Sequence, residues 1–355
     1  MDKVLIIGAG PAGMACALSL AQRGFKVDIV DRRRERSPVA KATGVNLRCC
    51  RWLAEQGIEL RDEAIAMQHF VFYDDDRLVA NVRLPLLSGA TPAHLFPQAE
   101  LERRMEAALL KHGIAIRYGV ALAALDRNGS RPGVIFQAPD GSQTTEEADW
   151  IVGADGGHST LRQMLAVPFV GRDYPEAWSV AEVHTATWDN SAQARLYLQG
   201  DGSGLFLSQP SPGVVQGILN GPDVVSAIRK RLPDAEVAYV RDFRVALRRA
   251  QTPRHGRFWL IGDAAHTQSP VGGQGLNLAI RDGLTLGSGL GERAPKDIER
   301  QLIAQAKQTL RFTDFDYRML STRSRLLRHA RNAYWQTAAR HPWIAHWFFK
   351  LIAGQ

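Results

Sequence analysis

Six residues near the start of the chain, Gly8-Ala9-Gly10-Pro11-Ala12-Gly13, constrain its fold more than any other stretch. The apolar run Lys3 to Ile7 before them reads as a strand. Pro11 to Arg23 after them, small and apolar and stopped by Gly24, reads as a buried helix. Val27 to Val30 is a second strand, so the unit is strand, tight turn, helix, strand, with a right-handed connection between parallel strands. In such a turn Gly8 permits the bend, Gly10 lets the backbone approach a pyrophosphate, and Gly13 lets helix and strand pack closely. Helix N-terminal N–H groups meet the phosphate charge. Asp31, with Arg32 beside it, ends the second strand where an acid can accept bonds from a ribose. The pattern specifies a dinucleotide and leaves FAD and NAD both open.

Further along, the pattern changes. Phe70 to Tyr73 and Leu78 to Leu84, split by the acidic turn Asp74 to Asp76, are expected to form a hairpin. Ala99 to His112 is an expected amphipathic helix with Leu101, Met105, Ala108 and Leu109 inward. Ile114 to Phe136 alternates like strands joined at Asn128-Gly129, and Phe169 to Leu219 reads as several strands before a helix near Val224 to Arg231. This middle stretch lacks strand-helix alternation, which points to a mostly antiparallel sheet. Phe258 to Ile261 returns as a strand, Gly273 to Leu290 as a helix, and Pro295 to Gln355 carries helical periodicity alone. A chain of 355 residues is about twice a typical domain. The expected class is α/β, with a discontinuous Rossmann-like FAD-binding domain (1–68, 96–168 and 254–294), an inserted, mostly antiparallel β-sheet substrate domain (69–95 and 169–253) and a C-terminal helical segment (295–355).

The choice of FAD in that assignment comes from two later stretches. Gly262-Asp263-Ala264-Ala265-His266 follows a strand, and Pro270 with Gly272-Gly273-Gln274-Gly275-Leu276-Asn277 then opens a helix. Between them and the first motif, Gly153-Ala154-Asp155-Gly156-Gly157, running on to Arg162, follows the apolar Trp150 to Val152. In this order and spacing, across residues 1–290, the three motifs resemble those of the FAD-dependent aromatic hydroxylases, the family of para-hydroxybenzoate hydroxylase, phenol hydroxylase and the ubiquinone-pathway hydroxylases.

The resemblance implies FAD as cofactor, NADPH or NADH and O2 as co-substrates, and a small aromatic substrate. It implies that Asp263, beside Gly262, holds the ribityl chain and that, after Gly275, the backbone at Leu276 and Asn277 faces the pyrimidine edge of the flavin. Asp155 then belongs to a motif associated with FAD and with passage of the nicotinamide cofactor, and Pro270, Gly272 and Gly273 lie at the reacting face. Gln98, opening a helix that borders FAD, and Lys41 and Arg48 are further matches. Lys41 stands where the family commonly has arginine, and its point charge lacks arginine's planar fork. With Gly8, Gly10, Ala12, Gly13, Asp31 and Arg32 these residues form the expected cofactor-binding set. No side chain is expected as nucleophile, because in the family's mechanism the flavin takes a hydride, adds O2 as a C4a-hydroperoxide and delivers oxygen to an electron-rich carbon. His266 is accordingly expected to pack and hydrogen-bond, and Arg162 either to serve this motif or to form a structural pair with its acid.

Other function classes find less support. A net charge of +8 steers anionic partners, but no basic helix, paired Cys/His spacing or aromatic platform points to nucleic acid. Cys16, Cys49 and Cys50 form no disulfide framework, and no export signal precedes the first strand, so the cytoplasm is the expected compartment. Cys49-Cys50, His69, His94 and His184 lack metal-ligand spacing, so no metal site is expected. No apolar run reaches the roughly 18 residues that crossing a bilayer requires; Trp343 to Ala353 is broken by His346 and Lys350. Arg323, Arg325, Arg328 and Arg331 precede Trp343, Trp347, Phe348 and Phe349, a segment expected to dock on the body or on a second subunit, with peripheral membrane contact as the competing reading. Monomer and homodimer both remain open. A reductase or halogenase on the same scaffold competes with the hydroxylase, although no Trp-x-Trp-x-Ile-Pro segment is present, and so does a non-catalytic flavin-binding protein.

Overall fold

Lys3–Ile7 is apolar on both faces because it runs through the middle of a sheet covered on both sides. The computed structural model describes residues 2–36, 42–60, 63–87, 89–126, 129–189 and 192–354. Among them, one sheet has the order 254–255, 258–260, 150–153, 3–7, 26–31 and 116–118, parallel except for the first, short strand. Val4 and Ile6 face the helices α1 (Pro11–Gln22), α3 (Gln98–Lys111) and α6 (Gln274–Gly289). Leu5 and Ile7 face the other way, onto Val134, Phe136 and Leu161. The helix α2 (Leu47–Glu55) adds Cys49 and Leu53 to the first of these cores, and Leu161 comes from the short α4 (Thr160–Met164).

The second large sheet has the order 266–267, 236–250, 169–184, 214–219, 204–211, 193–198, 69–74 and 77–83. All of its pairs are antiparallel except 193–198 with 69–74. It is backed in part by α5 (Val224–Arg229), whose Val224 and Ile228 pack on Leu207 and Val215. The α/β class with an antiparallel-rich second sheet and a helical C-terminus is therefore what the chain forms.

Several elements differ from the sequence expectation. The stretch 114–136 divides at Gly119 (φ +76): Ile116–Tyr118 joins the parallel sheet, whereas Ala121–Asp126 and Gly133–Gln137 pair with Gln143–Glu147 in a separate small sheet. Of the expected join, Asn128 lies outside the described residues. Glu236–Ala250 is a long strand that the sequence reading did not identify, and Ala93–Leu95 pairs with Gly44–Asn46 and Ile65–Ala66 instead of with the large sheet.

The C-terminal helices are α7 (Pro295–Leu320), α8 (Arg325–Arg340) and α9 (His346–Ile352). Trp335 stacks on Phe72 at 4.1 Å between centroids, and Phe349 and Ile352 are buried in the same cluster, so this segment docks on the 69–83 hairpin. Arg328 and Arg331 reach Asp74 at 2.9 and 2.8 Å. Trp343 and Trp347 do not share in the docking and remain 75% and 70% exposed. No helix among the described residues is long and apolar enough to cross a membrane.

The contact that aligns the helix layer is between α1 and α6. A Cβ built on Gly283 would lie 2.5 Å from the carbonyl oxygen of Ala12 and 2.7 Å from the amide nitrogen of Cys16, which is backbone and cannot yield. Gly283→Val is therefore expected to destabilise the protein by about 1–3 kcal/mol or more through overpacking. The check is the urea midpoint of the folded protein, and an unchanged midpoint would show that α6 can move off α1.

Candidate functional site

The first motif folds as its glycines dictate. Gly8 has φ +107, and a Cβ there would strike Ala154, while a Cβ on Gly13 would strike the Gly8 carbonyl. Gly10 is different: nothing lies within 4 Å of where its Cβ would be. It is also the N-cap of α1 and supplies no side-chain cap, so the start of a 12-residue helix opens onto free space.

The three motifs meet around this point. Gly8 abuts the backbone of Ala154 and Asp155, and a Cβ on Gly262 would lie 2.7 Å from that of Ala12. Arg162 donates to the carbonyls of Ala264 (2.8 Å) and Gly157 (2.7 Å), joining the second motif to the third. Its pairing is therefore with backbone, and its guanidinium also covers the Phe169 ring at 3.8 Å. Asp155 accepts from the Leu161 amide through Oδ2, whereas Oδ1 is buried without a hydrogen-bond partner. Asp263 is exposed at the mouth of this junction.

α6 begins in the same manner as α1. Its N-cap, Gly273, has φ +62, no cap bond and nothing within 4 Å of a Cβ position. Gly275, Leu276 and Asn277 form the first turn. The Asn277 side chain ties that turn to strand 44–46: Nδ2 donates to the carbonyls of Gly44 (2.9 Å) and Gly273 (2.8 Å), and Oδ1 accepts from the Asn46 amide (2.8 Å). Pro270 and Gly272 complete the loop, with Gly272 at φ +80.

Two buried polar clusters hold these parts. His266 Nε2 donates to Asp282 Oδ2 at 2.6 Å, and that oxygen also accepts from the Gly262 amide at 3.1 Å. Burial opposes the charge on His266, but the Asp282 carboxylate and its hydrogen bond, aided by Asp263 and Gln268, outweigh burial and raise its pKa. His266 thus clamps the second motif, as expected of a hydrogen-bonding residue. At the other end, Asp31 is engaged on both oxygens, by the Ala9 amide and by the backbone and guanidinium of Arg33. Burial alone would raise its pKa; Arg33 and the amides bring it below the usual carboxylate range.

The expected residues are not all in one place. Arg32 is exposed, and it is Arg33, which the sequence reading passed over, that lies on the first loop. Gln98 opens α3 and donates to Glu102 at 2.7 Å. Arg48 donates to the carbonyl of Gly354 at 3.4 Å and borders a cavity that Gln274 and Asn277 of the second motif also line. Lys41 lies outside the described residues. Among the described residues there is no group of three His, Cys, Asp or Glu side chains able to hold a metal ion.

Sequence profiles and known structures bear directly on this junction. The profile of the FAD binding domain family matches residues 1–216 and 222–310. The chain belongs to that family, the FAD-dependent aromatic hydroxylases. Its cofactor is FAD. The chain is similar to 6-methylpretetramide 4-monooxygenase of Streptomyces rimosus, at 29% identity over 309 residues, 80% of this chain and 54% of that protein. It is also similar to pentachlorophenol 4-monooxygenase of Sphingobium chlorophenolicum, at 27% identity over 80% of this chain and 57% of that protein. The chain thus spans little more than half the length of these relatives. The crystal structure of p-nitrophenol 4-monooxygenase from Pseudomonas putida DLL-E4 superposes with a TM-score of 0.87 over 99% of both chains at 21% identity, which shows a shared fold.

The residues present fit FAD. Two helices start at glycines without side-chain caps, the space at Gly10 and Gly273 is open, and a buried carboxylate oxygen of Asp155 lacks a partner. Beside Gly272 stands one more group that no motif signalled: Asp316 of α7, whose Oδ2 would be 3.7 Å from a Cβ on Gly272. It is buried, has no hydrogen-bond or ion-pair partner among the described residues, and burial pushes its pKa up to about 7.

This carboxyl makes stability depend on pH with a definite sign. Between the ordinary value of 3.8 and about 7 the folded protein holds a proton that the unfolded chain has released, so stability falls as pH rises through that window. Asp316→Asn is expected to melt with the wild type at about pH 4.5 and above it at about pH 8. Melting temperatures of both proteins across that range test this, and a gap that does not vary with pH would refute it.

Proposed function

We propose that the chain is the FAD-carrying part of a monooxygenase that uses NADH or NADPH and O2 to hydroxylate a small aromatic substrate. The observation that carries this reading is the convergence of three motifs on two uncapped helix starts, in a chain of the aromatic hydroxylase family. The reductase, halogenase and non-catalytic readings draw no support from the relatives described above, which are named as monooxygenases. We further propose the division into a discontinuous FAD-binding domain, a substrate domain on the large sheet and a C-terminal helical segment, with the substrate between the first two.

When bound, FAD supplies two-electron transfer and activation of O2. The chain's own groups bind and orient. The amides of Ala12 and Gly13 at the open start of α1 would meet the pyrophosphate, and Asp263 would accept from the ribityl chain. Leu276 and Asn277, in the first turn of α6, would lie by the pyrimidine edge, where a helix terminus stabilises negative charge by roughly 0.3–2 kcal/mol. At the reacting face, Gly272 and Gly273 would present backbone without side-chain bulk, with Pro270 beside them. Asp316 offers a carboxyl beside this loop that can accept a proton from a phenolic hydroxyl. Water must be kept from this face for oxygen to reach the substrate.

Two substitutions test the assignment. Asp263→Ala deletes a charge-assisted acceptor, typically worth roughly 1.5–3 kcal/mol, so FAD affinity is expected to fall about ten-fold to a hundred-fold. Fluorescence titration of the apoprotein measures it, and wild-type affinity would remove Asp263 from the site. Gly273→Leu places a side chain in the open space beside the flavin ring, at a φ of +62 that suits glycine. Hydroxylation is expected to fall more than NAD(P)H oxidation, with the difference released as hydrogen peroxide. Incorporation of 18O from 18O2 into product is the decisive readout; product without the label, or turnover that needs no oxygen, would overturn the monooxygenase reading.

A further inference from the structure

α6 has two opposite edges with different chemistry. Gly283 and Gly287 lie on α1, while on the far edge Arg281 borders a cavity of about 220 Å³ enclosed by α2, α6, α7 and the C-terminal residues. This volume equals roughly seven water molecules at about 30 Å³ each, room for an oxyanion with a short organic body.

Among the described residues the cavity has cations and no acidic side chain. Arg281 and Arg48 both border it, and among the described residues no aspartate or glutamate does. Arg281 has no hydrogen bond or ion pair among the described residues, and its Nε is buried without a partner. Among the described residues Arg48 makes only the long bond to the Gly354 carbonyl, at 3.4 Å. Burial and the neighbouring Arg48 charge both lower the pKa of Arg281, so its guanidinium is held at an electrostatic cost. Elsewhere the half-buried arginines are satisfied, as Arg104 is by Glu100 and Glu63, and Arg331 by Asp74. A partly buried, unpaired cation next to a like charge is unfavourable unless an anion joins it.

Neutral donors surround the pair. Thr309 and Gln308 of α7 line the same space, and Gln301, whose Oε1 is taken by Arg293, has its amide N–H groups left to donate. Guanidinium groups bind phosphate through paired, charge-assisted bonds, and two of them with hydroxyl and amide donors match a dianion.

We propose that this cavity binds a phosphate group, free or carried by a small metabolite, through Arg281 and Arg48, on the face of α6 turned away from the dinucleotide loop. The bound anion bridges α2, α6 and α7, so occupancy stabilises the folded protein. The site stands independently of the reaction proposed above.

The test uses FAD-loaded protein titrated with inorganic phosphate by calorimetry and thermal melting, with sodium chloride holding ionic strength constant. Saturable binding and a saturable rise in melting temperature are expected. Arg281→Gln should weaken phosphate binding at least ten-fold. Gln308→Glu, at an exposed position on the rim, should do the same by setting a carboxylate against the anion. Both variants should keep their flavin absorbance, which separates loss of this site from loss of fold or of FAD. Adenosine 2′-phosphate as a second probe distinguishes the sources: tighter binding than phosphate points to a nucleotide and weaker binding to a smaller phosphate, and either outcome supports the site. Absence of phosphate binding, equal binding by both variants, or an effect matched by chloride would overturn the proposal.

Discussion

The close approach of α1 and α6 is the contact on which the rest of the site depends. Gly283 meets the backbone of Ala12 and Cys16, and Gly287 meets the Ser19 side chain and the Cys16 carbonyl, so the two helices touch almost backbone to backbone. A contact of this kind admits no side chain, so the helices can take only one spacing. Their N-termini are then brought to the same end of the parallel sheet, and the 262–264 turn is wedged between Ala12 and Ala279. Two helix starts with unsatisfied amides aimed into one region suit a dinucleotide that carries charge at both its pyrophosphate and its reduced ring. The specificity for a long, two-headed cofactor therefore begins in packing.

Buried polar bonds fix what packing alone leaves free. Strand 44–46 is only three residues long and would be weak by itself, but Asn277 holds its backbone on both sides of the Oδ1/Nδ2 amide. Asp282 performs the same service for the second motif, accepting from both His266 and Gly262. Such pairs contribute little net stability relative to apolar packing, because each charge was desolvated to form them, yet losing one partner strands the other. Their contribution is to register: they set where Gly262 and Gly273 sit relative to α1.

The sequence revealed those parts of the site whose chemistry is local. A glycine that must meet a phosphate, a helix that must start there and an acid at the next strand end occupy fixed offsets, so the three motifs and the helices after them were legible. What was not legible is carried by residues whose partners are far away in sequence. Asp316 acquires its meaning from Gly272 and Arg281 from Arg48. Strand 236–250 escaped for a different reason: most of its residues are exposed or half-buried, so no hydrophobic alternation marks it, and its long partner 169–184 supplies the order instead. Strands of two or three residues, such as 65–66 and 93–95, are shorter than any period that could identify them.

The orientation of the two sheets rests on α7 more than on direct contact between them. One end of this helix packs on α6, and its later turns meet the loop at Val271 to Gly273. On the large sheet, Asp314 accepts from the Tyr174 hydroxyl at 2.7 Å and pairs with Arg172, and the Tyr317 hydroxyl donates to Glu176 at 2.6 Å. Trp178 and Val245 close an apolar cluster around Tyr317. A single helix therefore holds the 271–273 loop by its apolar residues and the large sheet by charged and phenolic bonds. Between those two grips stands Asp316, the one carboxyl of this turn left without a protein partner among the described residues. Because the helix fixes both walls, the space between them is set by α7's own length and register, and a carboxyl carried on it keeps its position relative to both.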